Sequence, residues 1–334
     1  MKKKRNLRSV SFLVFVLLLV ALGGALAFAA DEKFPNGPIN LIVPQAAGGQ
    51  AEAGCRLWQP FLEAELGVPL NFEFFTGAGS LVGYNVMLER KRDGYHLGLF
   101  APASMATTIL TMGAKYKLDD FDYVGIYQKD PGCIFAHKDA PWSTLQELID
   151  YAKTQPEGSI AIAVSAVTDI NVIGVRQLEE ATGVKFNIVP FNGGGKARAA
   201  LAGNQVSLGA FMYYGTSSIW ENTKVLGVNV ADTVIEDLKD VQTFNQVAGK
   251  VLDDIYSSNG IVLPGGTKEQ YPERYEFILG AVTRAWSNPE LQKRMVGMGQ
   301  ANWLNPVIGE DCQKYNQELF GFFERNQKYM IGNE

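Results

Sequence analysis

The chain has 334 residues with a formal net charge of −5, and 47% of its residues are hydrophobic. It is long enough for one large or two medium domains with substantial cores. The acidic balance argues against nucleic acid or an anionic membrane surface as a partner.

The first 30 residues have the order of a secretory signal. Five basic residues precede an apolar run from Val10 to Leu22, and Ala27-Phe28-Ala29 fits an A-x-A cleavage site. We therefore predict cleavage near Ala29 and export to the periplasm, with an uncleaved anchor as the alternative because the apolar run is fairly long. Removal of residues 1–30 takes away five Lys and Arg and no acid, which leaves 25 basic against 35 acidic residues, a net charge of −10.

After the signal the chain opens with a strand, a bare loop and a helix. The apolar run Ile39–Val43 predicts a buried strand that ends at Pro44. The loop Ala46, Ala47, Gly48 and Gly49 follows, and helical spacing begins at Gln50. This geometry points backbone N–H groups and a helix N-terminus at an anion. The alternative is a tight turn that uses glycine for its conformation alone. Pro60 predicts a kink or break in this helix.

The same pattern recurs twice more in the first half of the chain. A strand over Val68–Phe75 precedes the loop Gly77-Ala78-Gly79-Ser80 and a helix from Leu81. A third strand, Tyr95–Phe100, ends at the loop Ala101-Pro102-Ala103-Ser104. The β-α-β-α-β order predicts a mainly parallel sheet with ligand loops at the carboxyl ends of its strands.

The second half repeats this construction. The first predicted unit is the strand Ser159–Val164, followed by the loop Ser165-Ala166-Val167-Thr168-Asp169 and a helix Val172–Ala181. The second is the strand Phe186–Phe191, followed by the loop Asn192-Gly193-Gly194-Gly195 and a helix Lys196–Leu201. The third is the strand Val206–Phe211, which leads into Met212-Tyr213-Tyr214-Gly215. Two such sheets, each presenting bare loops, are what a binding cleft between two lobes requires. The side chains of Tyr213 and Tyr214 either line this cleft or pack against its floor.

Two nucleotide-binding motifs are excluded by the residues at their defining positions. The G-x-G-x-x-G fingerprint fails after Gly77 because Val82 stands where glycine is required. The P-loop pattern fails around Gly195 because Pro190 and Ala197 stand at its glycine and Ser/Thr positions.

Between the two halves the strand pattern breaks at Asp130-Pro131-Gly132, and a separate strand Cys133–Ala136 follows. Ser143 is a plausible cap for the next helix. Near the C-terminus, the residues Cys312, Tyr315, Leu319, Phe322 and Phe323 have helical spacing, which predicts an apolar stripe packed on the first lobe.

Groups for catalysis are scarce. His96 is expected in a packed or edge position within a strand, and His137 at the surface. The three cysteines are far apart and suggest packing more than a disulfide framework, although one pair is not excluded. No nucleophile elbow or metal-ligand spacing occurs, so the sequence predicts neither an enzyme nor a cofactor or metal. An exported hydrolase with dispersed catalytic residues is the alternative.

Several blocks of sequence stand in a characteristic order. They are Phe34-Pro35-x-x-Pro38-Ile39, Gly48-Gly49-x-x-Glu52-x-x-x-Arg56, Gly77-Ala78-Gly79-x-x-x-Gly83, Asp93-Gly94-Tyr95, Leu145-x-x-Leu148-Ile149-x-Tyr151-Ala152-Lys153-x-x-Pro156, and Asn192-Gly193-Gly194-Gly195 through Gly203-x-x-Val206. In this order the chain resembles the extracytoplasmic solute-binding proteins of tripartite tricarboxylate transporters, the Bug family.

Three parts of the sequence depart from the family pattern. Glu52 stands where the family has Asp, Gln45-Ala46-Ala47 replaces an aromatic segment, and Ala166–Asp169 replaces a loop of Gly, Ser and His. A block expected after Val230 is also missing. Because such loops select the ligand, its identity is not predicted.

The resemblance implies a two-lobed α/β periplasmic-binding-protein fold with a mainly parallel sheet in each lobe and the ligand cleft between them. The first lobe would comprise residues 31–131 and 257–334, and the second residues 132–256. The implied partners are a small organic anion, with di- and tricarboxylates among the candidates, and the membrane components of the transporter, and a monomer is expected. A ligand-presenting partner of a membrane sensor is the second functional alternative.

Backbone amides of the bare loops, from both lobes, are expected to grip the ligand carboxylates. The candidate ligand-binding residues are Ala46, Ala47, Gly48, Gly49, Gly77, Ala78, Gly79, Ser104, Ser165, Thr168, Asp169, Asn192, Gly193, Gly194 and Tyr213. Glu52 has two interpretations, as a ligand-side group or as a first-turn acid that complements the helix dipole.

Overall fold

The computed structural model describes residues 33–48, 50–166, 169–191, 193–232, 235–298 and 306–330. The predicted signal segment and three candidate site residues, Gly49, Thr168 and Asn192, lie outside these ranges. Within them, no helix combines the length and the apolar character needed to span a bilayer.

The strands follow the predicted order, with bounds that differ by a few residues. They are β1 Ile39–Val43, β2 Leu70–Phe74, β3 His96–Phe100, β4 Phe121–His137, β5 Ala161–Val164, β6 Asn187–Pro190, β7 Leu208–Met212, β8 Thr223–Val228, β9 Tyr256–Pro264 and β10 Val307–Ile308.

The α-helices lie mostly between these strands and cover their faces. They are α1 Gln50–Leu66, α2 Leu81–Glu89, α3 Pro102–Thr111, α4 Leu145–Lys153, α5 Ile170–Thr182, α6 Gly194–Ala202, α7 Phe244–Ala248, α8 Thr267–Gln270, α9 Pro272–Trp286, α10 Pro289–Gly297, α11 Glu310–Arg325 and α12 Gln327–Met330. Short 3-10 turns occur at Ala78–Ser80, Leu118–Asp120, Tyr214–Asn222 and Glu236–Leu238.

The strands form two sheet regions joined by long strands, and we call these regions the first and second lobe. The first contains the parallel strands β2-β1-β3, and the second the parallel strands β6-β5-β7. The predicted parallel pairing covers these strands, whereas every pair that involves β4 or β9 is antiparallel. The carboxyl ends of the parallel strands therefore supply the loops that face the junction between the lobes.

Strand β4 links the two lobes, and the predicted break at Asp130-Pro131-Gly132 is wrong. The strand pairs with β9 up to Pro131 and with β7 from Gly132 onward. Pro131 is tolerated because its carbonyl still accepts a hydrogen bond from Tyr213 N at 2.9 Å. Gly132 meanwhile donates its own N–H to Ile255 O at 2.8 Å. The segment that looked like a turn is therefore the place where one strand changes partners.

Helix α1 runs from Gln50 to Leu66 without the predicted break, although Pro60 lies inside it. Pro60 is on the exposed face, while Trp58 and Leu62 on the opposite face are fully buried in the first-lobe core. Trp58 packs against Trp286 of α9 with ring centroids 6.2 Å apart. This packing holds the helix together despite the hydrogen bond that proline removes.

The C-terminal helix α11 packs on both lobes, not on the first alone as predicted. Cys312 joins the first-lobe cluster that contains Ile42 and Phe100. About three turns further on, Phe322 and Phe323 pack with Ile173 of α5 in the second lobe and with Ala106 of α3 in the first. The apolar stripe is correctly placed in the sequence, but its second half contacts the second lobe as well as the first.

Two smaller predictions are also wrong. His137 is buried at 6% exposure, because it ends β4 between β7 and β8 instead of lying at the surface. The cap of α4 is Thr144, whose side chain accepts a hydrogen bond from Glu147 N, while Ser143 N donates to the Glu147 carboxylate at 2.7 Å.

Candidate functional site

A cavity of about 440 Å³ lies between the two lobes, at the carboxyl ends of the parallel strands. It is lined by Gln45, Ala51, Gln128, Asp130, Ser165, Asp169, Ile170, Asn171, Gly194, Gly195, Arg198, Phe211, Met212, Gly215, Ser257 and Asn259. Its walls come from the β1–α1 loop, the two linking strands β4 and β9, and three loops of the second lobe.

The first-lobe wall is small. Pro44 ends β1, and Gln45 and Ala51 on either side of the bare loop line the cavity. The Gln45 amide donates to Ser80 Oγ at 3.4 Å, and its shielded Oε1 has no hydrogen-bond partner among the described residues. Ala46, Ala47 and Gly48 between them are exposed at the edge of the cavity and do not line it.

The amide of Gly48 is already engaged within the chain. It donates to Glu52 Oε2 at 2.8 Å, and Arg56 donates to Glu52 Oε1 at 2.8 Å. The hydrogen bond from Gly48 and that from Arg56 lower the pKa of the Glu52 carboxyl. Arg56 also lies over the Phe72 ring at 3.9 Å. Glu52 therefore fixes the loop against α1, and the Gly48 N–H is not free to bind an anion in this structure.

The second predicted loop of the first lobe stands outside the cavity. Gly77, Ala78, Gly79 and Ser80 all have positive φ, an unusual run for non-glycine residues. Ser104 at the start of α3 donates to Gly79 O at 2.6 Å, so the structure brings these candidates together. Neither the loop residues nor Ser104 line the cavity.

In the second lobe, Asp169 is the N-cap of α5. Its Oδ1 accepts from Asn171 N at 3.0 Å and from Asn171 Nδ2 at 2.9 Å, and its Oδ2 accepts from Ser165 N at 3.1 Å. Three N–H donors therefore stabilise the carboxylate, and the interaction fixes the loop after β5 to the start of α5. Both predicted residues, Ser165 and Asp169, line the cavity.

The N-terminus of α6 opens directly onto the cavity. Gly193 adopts φ 102° and gives this helix no side-chain cap, and its N–H donates to Ser165 O at 3.0 Å. Gly194 and Gly195, the first two residues of the helix, line the cavity. Because the first turn of a helix leaves N–H groups without helical partners, this end of the cavity favours a negative charge.

Arg198, one turn further along α6, is a functional residue that the sequence interpretation missed. Its guanidinium lies beside Gly194, since a Cβ added to Gly194 would come within 2.8 Å of Nη1. Burial lowers the pKa of this half-buried guanidinium, which nevertheless stays protonated. Among the described residues it has no carboxylate partner and no hydrogen-bond acceptor. The sequence feature that could have identified Arg198 is its position as a basic residue one turn after three consecutive glycines, in a chain that is acidic as a whole.

The linking strands form the floor of the cavity. Asn259 of β9 donates to Gln128 Oε1 of β4 at 3.1 Å. Beside them, Asp130 is only 2% exposed and accepts from Tyr214 N at 3.0 Å and from Gly215 N at 3.1 Å. Burial raises the pKa of Asp130 to about 7 despite these two hydrogen bonds. The sequence interpretation missed this residue because it took the segment as a break between two strands.

Tyr213 does not line the cavity. Its ring stacks on Trp220 at 4.8 Å, and its hydroxyl donates to Asp237 Oδ2 at 3.1 Å. The residues on either side of the pair Tyr213-Tyr214 line it instead, namely Met212 and Gly215. Of the two interpretations of this tyrosine, the structure shows the packing one.

The remaining candidates for chemistry lie away from the cavity. His96 and His137 do not line it, and the three cysteines are buried as free thiols. No cluster of three or more His, Cys, Asp or Glu side chains suited to a metal occurs in the described part of the chain.

Two α/β lobes joined by linking strands, with a polar cavity between them, define the class of two-lobed periplasmic solute-binding proteins. Over residues 55–325 the chain matches the family described as "Tripartite tricarboxylate transporter family receptor", and it belongs to that family.

Curated relatives are distant. The chain is 26% identical over 219 residues to a UPF0065 protein from the TAR-I ttuE-ttuC' intergenic region of Agrobacterium vitis, a match that covers 65% of this chain and 63% of the relative. It is 26% identical over 198 residues to protein BugT of Bordetella pertussis, with 58% and 60% covered. The chain thus spans a little under two thirds of the length of these relatives.

Solved structures show the same fold. A TctC solute-binding protein from Polaromonas, solved without ligand, has a TM-score of 0.74 at 23% identity, covering 88% of this chain and 99% of that one. A Rhodopseudomonas palustris protein with adipate has a TM-score of 0.71 at 20% identity, covering 89% and 98%. MatC from the same organism, with bound malate, has a TM-score of 0.65 at 21% identity, covering 89% and 100%.

Proposed function

We propose that this protein captures a small organic carboxylate in the cavity between its lobes and presents it to the membrane components of a tripartite tricarboxylate-type transporter. Membership of the receptor family and the fold shared with proteins solved with malate and adipate support this function. In this proposal the protein binds and releases the solute unchanged.

The observation that carries the proposal is the cationic end of the cavity. Arg198 has no carboxylate partner among the described residues, and it lies beside the uncapped N-terminus of α6. An arginine can bind a carboxylate through two parallel hydrogen bonds, and the first amides of a helix add donors at the same place. A carboxylate at this end would satisfy donors that have no partner among the described residues.

The rest of the cavity suits a short carbon skeleton. Ala51, Ile170, Phe211 and Met212 provide apolar surface, while the amides of Gln45, Gln128 and Asn259 provide neutral polar contacts. A volume of about 440 Å³ lies in the range of small-molecule sites and accommodates an acid of a few carbon atoms. The proposed ligand is therefore a small mono- or dicarboxylate.

The fold provides a route for closure around the ligand. The first lobe (residues 31–131 and 257–334) and the second (residues 132–256) are proposed to rotate about the linking strands, and the ligand stabilises the closed arrangement by binding it more tightly. Helix α11 and the following residues contact both lobes; for example, Gln177 of α5 donates to Asn326 Oδ1 at 3.1 Å. Closure therefore has to preserve or rearrange this contact as well.

Export to the periplasm, as a monomer, is part of the proposal. The proposed export depends on the signal-like N-terminal segment, and intact-mass measurement of protein from a periplasmic extract tests whether that segment is removed. A mass that retains residues 1–29, in protein recovered with the membrane fraction, would contradict this part of the proposal and leave the ligand assignment untouched.

A thermal-shift and calorimetric screen tests the ligand class. The purified protein is titrated with acetate, succinate, malate, adipate, citrate and benzoate, and each acid that binds is paired with its uncharged amide as a control. At least one acid should stabilise the protein, by about 2.7 kcal/mol at a hundredfold excess over its Kd, whereas its amide should not. Binding of an amide as tightly as of its acid, or of no acid at all, would contradict the proposal.

A further inference from the structure

Asp130 lines the cavity as a carboxyl group whose hydrogen bonding is incomplete. Its two oxygens accept one backbone N–H each, from Tyr214 and from Gly215. A carboxylate has room for about four donors, and no other donor or cation reaches Asp130 among the described residues. The side chain is 2% exposed, so bulk water does not supply the missing donors freely.

Asp169, the other carboxylate in the cavity wall, provides a contrast. Its three N–H donors and its place as the cap of α5 account for it as a structural residue. The two backbone bonds to Asp130 attach the segment after β7 to β4, but they leave about two of its acceptor positions without a donor among the described residues. A buried carboxyl group is costly without further donors, so a structural role explains Asp130 only in part.

The charged groups that line the cavity indicate which ligand groups would bind at each end of it. Arg198 and Asp130 line the same cavity but form no ion pair with each other. A ligand between them would meet a cation and an uncapped helix at the end near Gly194, and a hydrogen-bond acceptor at the floor. A carboxylate fits the first end, and a donor group fits the second. A second carboxylate at the floor would bring no donor for the unfilled acceptor positions of Asp130.

We propose that Asp130 is a specificity-determining residue that accepts a hydrogen bond from a hydroxyl or ammonium group of the solute. The solute is accordingly a small carboxylate that carries such a donor, not an unsubstituted alkanoate or alkanedioate. This inference rests on the proposed function and narrows its ligand class. The hydroxyl and the ammonium share one chemistry at Asp130, and they differ in whether the contact is charged on both sides.

Matched sets of acids isolate this contact. Succinate, malate and aspartate share one carbon skeleton and differ only in a hydrogen, hydroxyl or ammonium on one carbon. Glutarate, 2-hydroxyglutarate and glutamate, and likewise propionate, lactate and alanine, repeat the comparison at other lengths. Each acid is titrated calorimetrically into the wild-type protein. In at least one set, the hydroxy acid or the amino acid should bind about tenfold or more tightly than the unsubstituted acid of that set, which we call its parent.

Two variants show whether Asp130 is the cause. Asp130→Asn should reduce the preference for the substituted acid at least about fivefold while parent acids keep their affinity more closely. In titrations at about pH 8, where the Asp130 carboxyl is ionised, the loss should be larger for the amino than for the hydroxy acid, because an ammonium loses a charged partner. Asp122→Asn is the matched control, since Asp122 lies on the same strand and accepts Lys268 N at 2.8 Å but does not line the cavity.

The ratio of affinities within a set is the decisive readout, because a merely destabilised protein would lose affinity for all three acids together. Parent acids that bind as tightly as their substituted partners in every set would overturn the inference and leave the proposed function standing. An unchanged ratio in Asp130→Asn would overturn it too. Should Asp130→Asn fail to fold, the wild-type ratios alone decide. Absence of binding for every acid contradicts the proposed function itself.

Discussion

Replacement of Arg198 by methionine is the sharpest test of how the cavity binds an anion. The guanidinium is half-buried beside Gly194 and has no carboxylate partner among the described residues, so its charge is available to the solute. Methionine has a similar length and no charge. One charge-assisted hydrogen bond contributes about 1.5–3 kcal/mol, so its loss should weaken binding by about 10- to 150-fold.

The same reasoning predicts the opposite effect on the ligand-free protein. A partly buried cation without a partner is unfavourable for folding, so Arg198→Met should leave the melting temperature unchanged or raise it by a few degrees. The assay is calorimetric titration with the tightest-binding acid of the screen, together with thermal unfolding without ligand. Lys196→Met is the control, because Lys196 is an exposed cation on the same helix that does not line the cavity.

The result that would refute this reasoning is wild-type affinity in Arg198→Met. Equal losses in Arg198→Met and Lys196→Met would also refute it, since they would show a general effect of net charge. A large drop in melting temperature would show instead that Arg198 supports the fold.

Gly194→Ala should weaken binding about tenfold, because the added Cβ would lie 2.8 Å from Arg198 Nη1 and 3.2 Å from Ser165 Oγ and would displace the guanidinium; calorimetry with wild-type affinity in this folded variant would contradict the contact. The carboxyl of Asp130 has a pKa of about 7 in the folded protein, so it stays protonated at pH values at which the same group in the unfolded chain is ionised. It therefore stabilises the folded state at low pH, and this contribution is lost as the pH rises toward 7. Denaturant unfolding should therefore show ligand-free wild type losing about 2 kcal/mol relative to Asp130→Asn between pH 5 and pH 7, and parallel pH curves would contradict this. Small-angle scattering should show a smaller radius of gyration when the binding acid is added, whereas an unchanged curve at saturation would argue for a static site.

Local patterns were sufficient for the strand, loop and helix units. The runs Ile39–Val43 and Ser159–Val164 were predicted as strands because apolar, β-branched residues end at proline or polar loops, and β1 and β5 lie there. Ser165, Asp169 and Gly194 were predicted in the site because loops at the carboxyl ends of parallel strands meet at one edge of a sheet. The structure places all three in the wall of the cavity.

The rest of the site depends on contacts that no local pattern records. Asp130 lies in a segment that has the composition of a turn, and only the change of partner from β9 to β7 makes it a strand. Arg198 lines the cavity because α6 packs with Ala197 and Leu201 toward the core, which sets the direction of the neighbouring face that carries Arg198. The Gly48 amide was predicted to bind anion, but Glu52 four residues later competes for it. Each outcome is decided by tertiary packing or by a competing side chain.

A crystal structure of the protein with its tightest-binding carboxylate tests the central claim most directly. We predict that a carboxylate of the ligand lies within hydrogen-bond distance of Arg198 and of the first amides of α6, at Gly194 and Gly195, with both lobes in contact with the ligand. A ligand carboxylate held elsewhere, with Arg198 still without a partner, would contradict the account.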